Sequence, residues 1–170
     1  VYFYGAGASS ETLKDIVKDG LELVLREAQD SVDHELVASA YSTYTGEPAI
    51  TCILGTGSNS CYFDGTTASE EVPARAYVLG DEGSASFIGK RLVSDFLYKK
   101  LPEEMAQDFF ATYQLDKDEI ITSVYNKPNA NVYLASFSRF AGKHMENEYV
   151  KTIVREGFAK FADIHIACFE

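Results

Sequence analysis

The segment from Ile53 to Gly65 constrains this chain more than any other. An apolar, strand-like run enters Gly55-Thr56-Gly57-Ser58-Asn59, and a second, Cys61-Tyr62-Phe63, leaves it for Asp64-Gly65. Two glycines around a threonine remove Cβ atoms where a backbone must approach something closely or take up positive φ. Such a turn offers bare N–H groups and two hydroxyls to an anion, and a phosphate is the natural candidate. A hairpin turn that simply needs glycine accounts for the same residues, so the motif alone leaves both readings open.

Composition narrows the partners. The chain has 170 residues, 46% of them hydrophobic, enough for a folded core. A net charge of -11 and a pI near 4.7 argue against nucleic acid or an anionic membrane surface, which are engaged through basic patches. Nucleotide binding is not excluded, because backbone amides and Mg²⁺ can neutralise phosphates. Cys52, Cys61 and Cys168 lack metal-ligand spacing and read as small hydrophobes in a reduced, cytoplasmic protein. His34, His144 and His165 have no ligand-like spacing either, so no metal site is expected from side chains. The chain opens without methionine in a strand-like run and closes in a helix-like pattern, so both ends read as cuts through a larger fold.

Periodicity orders the rest. Val1–Ala6 reads as a buried strand, and Ser9 or Ser10 can cap a helix running to about Ala28. Residues 29–33 read as a polar break before a helix with the apolar face Leu36, Val37, Ala40, Tyr41, Tyr44. After the hairpin of residues 49–64, Arg75–Leu79 reads as a strand and Ser84 opens a helix to about Lys100. Residues 103–143 alternate short helices with joints, and Val150, Ile153, Val154, Phe158, Phe161 and Ile164 form the stripe of a long last helix. Asp95, Asp116, Asp118 and Glu103-Glu104 read as solvated helix faces.

A second motif, Leu79-Gly80-Asp81-Glu82-Gly83-Ser84, stands at the opening of the helix beyond the hairpin. Together the two motifs resemble the BadF/BadG/BcrA/BcrD-type ATPases of the N-acetylglucosamine kinase-like family, in the actin/hexokinase superfamily. Either motif alone is weak; two in the right order and spacing are specific, and the resemblance covers most of the chain. It implies an α/β, actin-like ATPase (ribonuclease H-like) fold. Residues 1–48 would be the end of the first lobe and residues 49–170 the start of the second, with several helices after the hairpin and a ligand cleft between lobes.

The resemblance also implies chemistry. Phosphoryl transfer needs phosphates held, Mg²⁺ placed and a carboxylate to take the proton of the attacking hydroxyl. Gly55, Thr56, Gly57, Ser58 and Asn59 match the family's second phosphate segment, with the Thr56 and Ser58 hydroxyls as further donors. Asp81, with Gly80, matches the position that holds sugar hydroxyls; a helix cap would explain one carboxylate there but not both glycines. The family carries an aspartate at the head of the preceding helix, where an ungapped alignment places Glu35. Glu35 is therefore the expected base and Asp33 the second choice, although both would also stabilise a helix start as plain dipole partners. One methylene of displacement can cost on the order of 10²-fold in rate.

The implied activity is ATP- and Mg²⁺-dependent phosphorylation of an amino sugar, N-acetylglucosamine, with a homodimer compatible with it. The family's Asp-Gly-Gly-x-Thr first phosphate segment and its Gly-rich adenosine pocket do not occur in these 170 residues, so the segment alone is expected to be inactive. Two other readings stay open: an ATPase that drives a partner enzyme, and a sugar-binding regulator without catalysis.

Overall fold

The computed structural model describes residues 1–169, which form two compact units. One comprises Val1–Ile53 with Ser60–Glu71, the other Leu54–Asn59 with the chain from Val72 onward. The architecture is α/β.

In the first unit, β1 (Tyr2–Gly5) is followed by α1 (Glu11–Val24) and β2 (Ser31–His34). The strands are parallel, with Tyr2 opposite Ser31 and Gly5 opposite His34, and α1 supplies the crossover that parallel neighbours require. Ser10 caps α1, accepting from the Leu13 N–H at 3.4 Å. The helix stops four residues short of Ala28 because the chain must turn back: Leu25 leaves helical geometry, and the Ser31 N–H donates to Val1 O at 2.8 Å. Residues 31–34 are therefore a strand and not part of a polar break. Their pairing is made by backbone, which polar side chains do not prevent.

β2 passes without a loop into α2 (Glu35–Thr43), capped by His34, whose Nδ1 accepts from the Leu36 N–H at 3.3 Å. β3 (Ala49–Leu54), β4 (Ser58–Phe63) and β5 (Ala68–Ser69) make a three-stranded sheet in that order. Leu36, Ala40, Cys61 and Phe63 form the unit's small core, with Ile53 and Ala68 packed on it. The Tyr41 and Tyr44 rings meet Phe63 edge-on, at 5.5 and 5.3 Å between centroids. All three cysteines are free thiols.

The second unit is helical: α3 (Ala76–Leu79), α4 (Ala85–Leu97), α5 (Glu103–Tyr113), α6 (Lys117–Tyr125), α7 (Ala130–Ser136), α8 (Ser138–Lys143) and α9 (Glu148–His165). Residues 76–79 form a helical turn where the composition suggests a strand. They have no sheet neighbour, and the Gly80 N–H closes onto Ala76 O at 2.8 Å. Phe109, completely buried, centres an aromatic core with Phe96, Tyr113, Phe137 and Phe140 at 4.8–5.5 Å. Burying one such side chain stabilises by about 1.5–3 kcal/mol. α4 presses on α7 so closely that a Cβ on Gly89 would lie 1.8 Å from Leu134 O. Asp95 does not lie on a solvated face: it is buried and accepts from Arg91 Nε and from the Tyr149 hydroxyl, each at 2.6 Å. Among the described residues no helix is long and apolar enough to cross a membrane.

Candidate functional site

The glycine turn between β3 and β4 is built by satisfying almost every polar group around it. The Gly55 N–H donates to Gly57 O at 2.9 Å and closes the turn. The Gly55 and Thr56 carbonyls accept from the Ala85 and Ser86 N–H groups at 2.9 and 3.1 Å. Ser84 takes the next two amides of α4, its hydroxyl oxygen from Phe87 at 3.2 Å and its carbonyl from Ile88 at 3.1 Å. With the Ser84 N–H donating to Asp81 O at 3.1 Å, the four amides that the helix start leaves without an intrahelical partner, those of Ser84, Ala85, Ser86 and Phe87, are all used, and the α4 terminus has none to offer an anion. Ser58 is held twice: its N–H donates to Asp81 Oδ1 at 3.2 Å and its hydroxyl to Glu82 O at 2.7 Å. Among the described residues, the N–H groups of Thr56 and Gly57 and the Thr56 hydroxyl donate to no protein acceptor. Adjacent unspent amides on a side-chain-poor turn are the elements of a phosphate cradle.

Gly80 to Gly83 form the support of that turn. Asp81 has φ 60°, the left-handed region, and the Ser84 N–H donates to its carbonyl at 3.1 Å. Its carboxylate lies beneath the glycine turn, where a Cβ on Gly57 would stand 2.9 Å from both oxygens. Gly57 is glycine for this close approach. Burial pushes the Asp81 pKa up; the Ser58 N–H works against burial and Glu82 adds to it. Gly83 has φ 73°, and its backbone lies against α9: a Cβ there would meet Gly157 O at 3.1 Å and Phe161 Cβ at 3.2 Å. Glu82 Oε2 is 3.4 Å from Nε2 of buried His165. A cleft of about 10 Å³, lined by Arg75, Gly80, Asp81, Glu82 and His165 among others, opens beside these residues.

The two other candidate carboxylates belong to the first unit. Asp33 ends β2 in an ion pair with Lys14 Nζ at 3.0 Å and accepts from the His34 N–H at 2.8 Å. Burial raises its pKa, but these two partners outweigh burial and hold it below the usual value. Glu35, the first residue of α2, makes no ion pair among the described residues. Of the pair, Asp33 is committed to structure and Glu35 is available.

The glycine turn, Gly80 and Asp81 stand in one unit, and Asp81 touches the turn at Gly57 and Ser58. Asn59 is buried beside them. Gly157, His165 and Lys90 were not singled out by the sequence. Lys90 donates to Tyr77 O at 2.7 Å and holds α3, which leads into Gly80. A glycine inside an 18-residue helix was the available signal for Gly157. Among the described residues no group of three or more His, Cys, Asp or Glu could hold a metal ion.

The chain is similar to solved structures. The chain superposes on the "putative N-acetylglucosamine kinase" of Porphyromonas gingivalis with a TM-score of 0.94 and 34% identity over 99% of its length. Over 99% of its length, then, this chain is similar to an N-acetylglucosamine kinase-like protein. The match implies an actin-like ATPase fold. A "putative N-acetylglucosamine kinase" of Chromobacterium violaceum, 15% identical with a TM-score of 0.66 over 95% of the chain, shares the fold. The chain spans 60% of the first protein and 58% of the second. No protein-family model and no curated protein matches it.

Proposed function

We propose that this chain is part of a sugar kinase that transfers a phosphoryl group from ATP to a hydroxyl of an amino sugar, N-acetylglucosamine. The observation that carries this reading is the match over 99% of the chain to a protein of that name. The site chemistry agrees with it, because the turn keeps two amides and a hydroxyl unspent where an anion would need them.

In this reading Thr56 and Gly57 hold the phosphates through their N–H groups, with Gly55 shaping the turn and Ser58 and Asn59 completing the segment. ATP supplies the phosphoryl group. Mg²⁺ would be carried largely by phosphate oxygens and water, since no ligating cluster is present among the described residues. Asp81, with Gly80, accepts from sugar hydroxyls. Glu35 takes the proton of the attacking hydroxyl, because Asp33 is held ionised by Lys14 and is a poor base. Residues 1–48 belong to one lobe and 49–170 to the next, in a cytoplasmic enzyme with a small-molecule partner, neither nucleic acid nor membrane, and compatible with a homodimer.

The test uses the full-length protein and measures ADP release with and without N-acetylglucosamine. Turnover is expected only with the sugar. Glu35→Gln should lower kcat by about 10²–10⁴-fold while leaving the sugar dissociation constant nearly unchanged. ATP hydrolysis without sugar would instead favour a partner-driving ATPase, and sugar binding with no turnover a regulator.

A further inference from the structure

The phosphate-binding turn is braced from behind by a helix that contributes no residue to it. We infer that Gly157, in the middle of α9, is a positioning residue for residues 55–58, acting through the Gly80–Gly83 loop; the inference rests on the kinase reading of that turn. Glycine weakens a helix interior relative to alanine, so this one needs a reason in packing. A Cβ at Gly157 would lie 3.2 Å from Gly83 Cα and 3.3 Å from two atoms of the Phe87 ring. Reciprocally, one at Gly83 would lie 3.1 Å from Gly157 O. Backbone thus meets backbone, and a methyl group on α9 can be admitted only if the loop moves.

That movement has one direct outlet. Asp81 and Glu82, immediately before Gly83, hold the Ser58 N–H and hydroxyl, and Ser58 follows the two unspent amides of Thr56 and Gly57. His165, the last residue of α9, gives the loop a second support, with Nε2 3.4 Å from Glu82 Oε2. Gly157 sets the distance between helix and loop, and His165 sets the orientation of Glu82. Neither touches the proposed nucleotide.

Full-length wild type, Gly157→Ala, His165→Leu and His165→Gln are compared by amide hydrogen exchange in the ligand-free protein and by the dissociation constant for ADP. Gly157→Ala should speed exchange at Ser58 and raise the ADP constant about fivefold or more, with exchange around Phe109 unchanged. His165→Leu should do the same more weakly, and His165→Gln, which keeps a donor at the Nε2 position, should restore wild-type behaviour. Wild-type exchange at Ser58 and wild-type ADP affinity in both Gly157→Ala and His165→Leu would overturn the inference. Should Gly157→Ala not fold, the His165 pair decides by the same readouts. A wild type that binds no ADP would defeat the kinase reading, while Ser58 exchange would still decide whether Gly157 positions the turn.

Discussion

Asp33 and Asp81 are similar side chains in different units, and their surroundings push them in opposite directions. At Asp33 burial raises the pKa, but the His34 N–H and the Lys14 ammonium outweigh it. At Asp81 burial is again the largest influence, and a single N–H from Ser58, with Lys90 and His165 further off, does not overcome it. The linkage signs therefore differ. Asp33 contributes stability above its unfolded value, and that contribution fades as pH falls through its lowered folded value. The contribution of Asp81 is present below the ordinary value near 3.8 and is lost as pH rises through its raised folded value. One aspartate supports the fold at neutral pH; the other is retained although its charge opposes folding there. In the proposed reading, a buried carboxylate under a turn with unspent amides belongs to a ligand site.

The sharpest way to break this contrast is Gly57→Ala. The backbone there tolerates alanine, since φ is not positive, so the effect isolates the contact with Asp81. A Cβ at 2.9 Å from both oxygens forces the carboxylate aside and parts it from the Ser58 N–H. Loss of a hydrogen bond to a charged group costs about 1.5–3 kcal/mol, so urea unfolding should show a loss of about 2 kcal/mol. ADP affinity should fall with it. Unchanged stability would mean that the Asp81–Ser58 bond contributes nothing.

Asp81→Asn comes next and should act in the opposite sense on stability. The amide oxygen can still accept from Ser58, while the buried charge is gone. Unfolding free energy at pH 7 should rise, and the part of the pH dependence owed to Asp81 should disappear. Sugar-dependent turnover should fall at the same time, since a neutral amide grips a hydroxyl pair less well than a carboxylate. Destabilisation as large as that of Gly57→Ala would show that the charge supports the fold after all.

Elements whose signals are local were legible in the sequence. The cap at Ser9 or Ser10, the helix opened at Ser84 and the stripe of α9 each depend on neighbours within a turn or two; Ser10 caps α1 and all three helices form, although Phe158 of the α9 stripe is exposed while Gly157 and His165 are buried. β2 was not legible, because Ser31–His34 is a strand only through its pairing with β1, some 29 residues earlier in the chain. α3 misled for the opposite reason: Tyr77, Val78 and Leu79 favour a strand, but no partner strand is offered. Both glycine motifs could be read in the order of the residues. Their contact could not, since nothing local states that Asp81 reaches a backbone amide 23 residues away. The same holds for Gly157, which is one more helix glycine until its helix meets Gly83.

The smallest expected effect lies on the Asp33 side. Lys14 bridges Asp33 at 3.0 Å and Glu11 at 3.1 Å, and Asp33 is itself about one-third exposed, so solvent screens the pair. Lys14→Met keeps the apolar stem and removes the ammonium. It should cost about 0.2–1 kcal/mol at pH 7, with the loss shrinking as salt rises. The Asp33 pKa, followed by NMR, should climb, since burial is then opposed only by His34, and Asp81 should titrate as in wild type. This variant also tests the choice between the two carboxylates. With Lys14 gone, Asp33 becomes the better base; if it performs the proton transfer, sugar-dependent kcat rises, and if Glu35 performs it, kcat stays as in wild type.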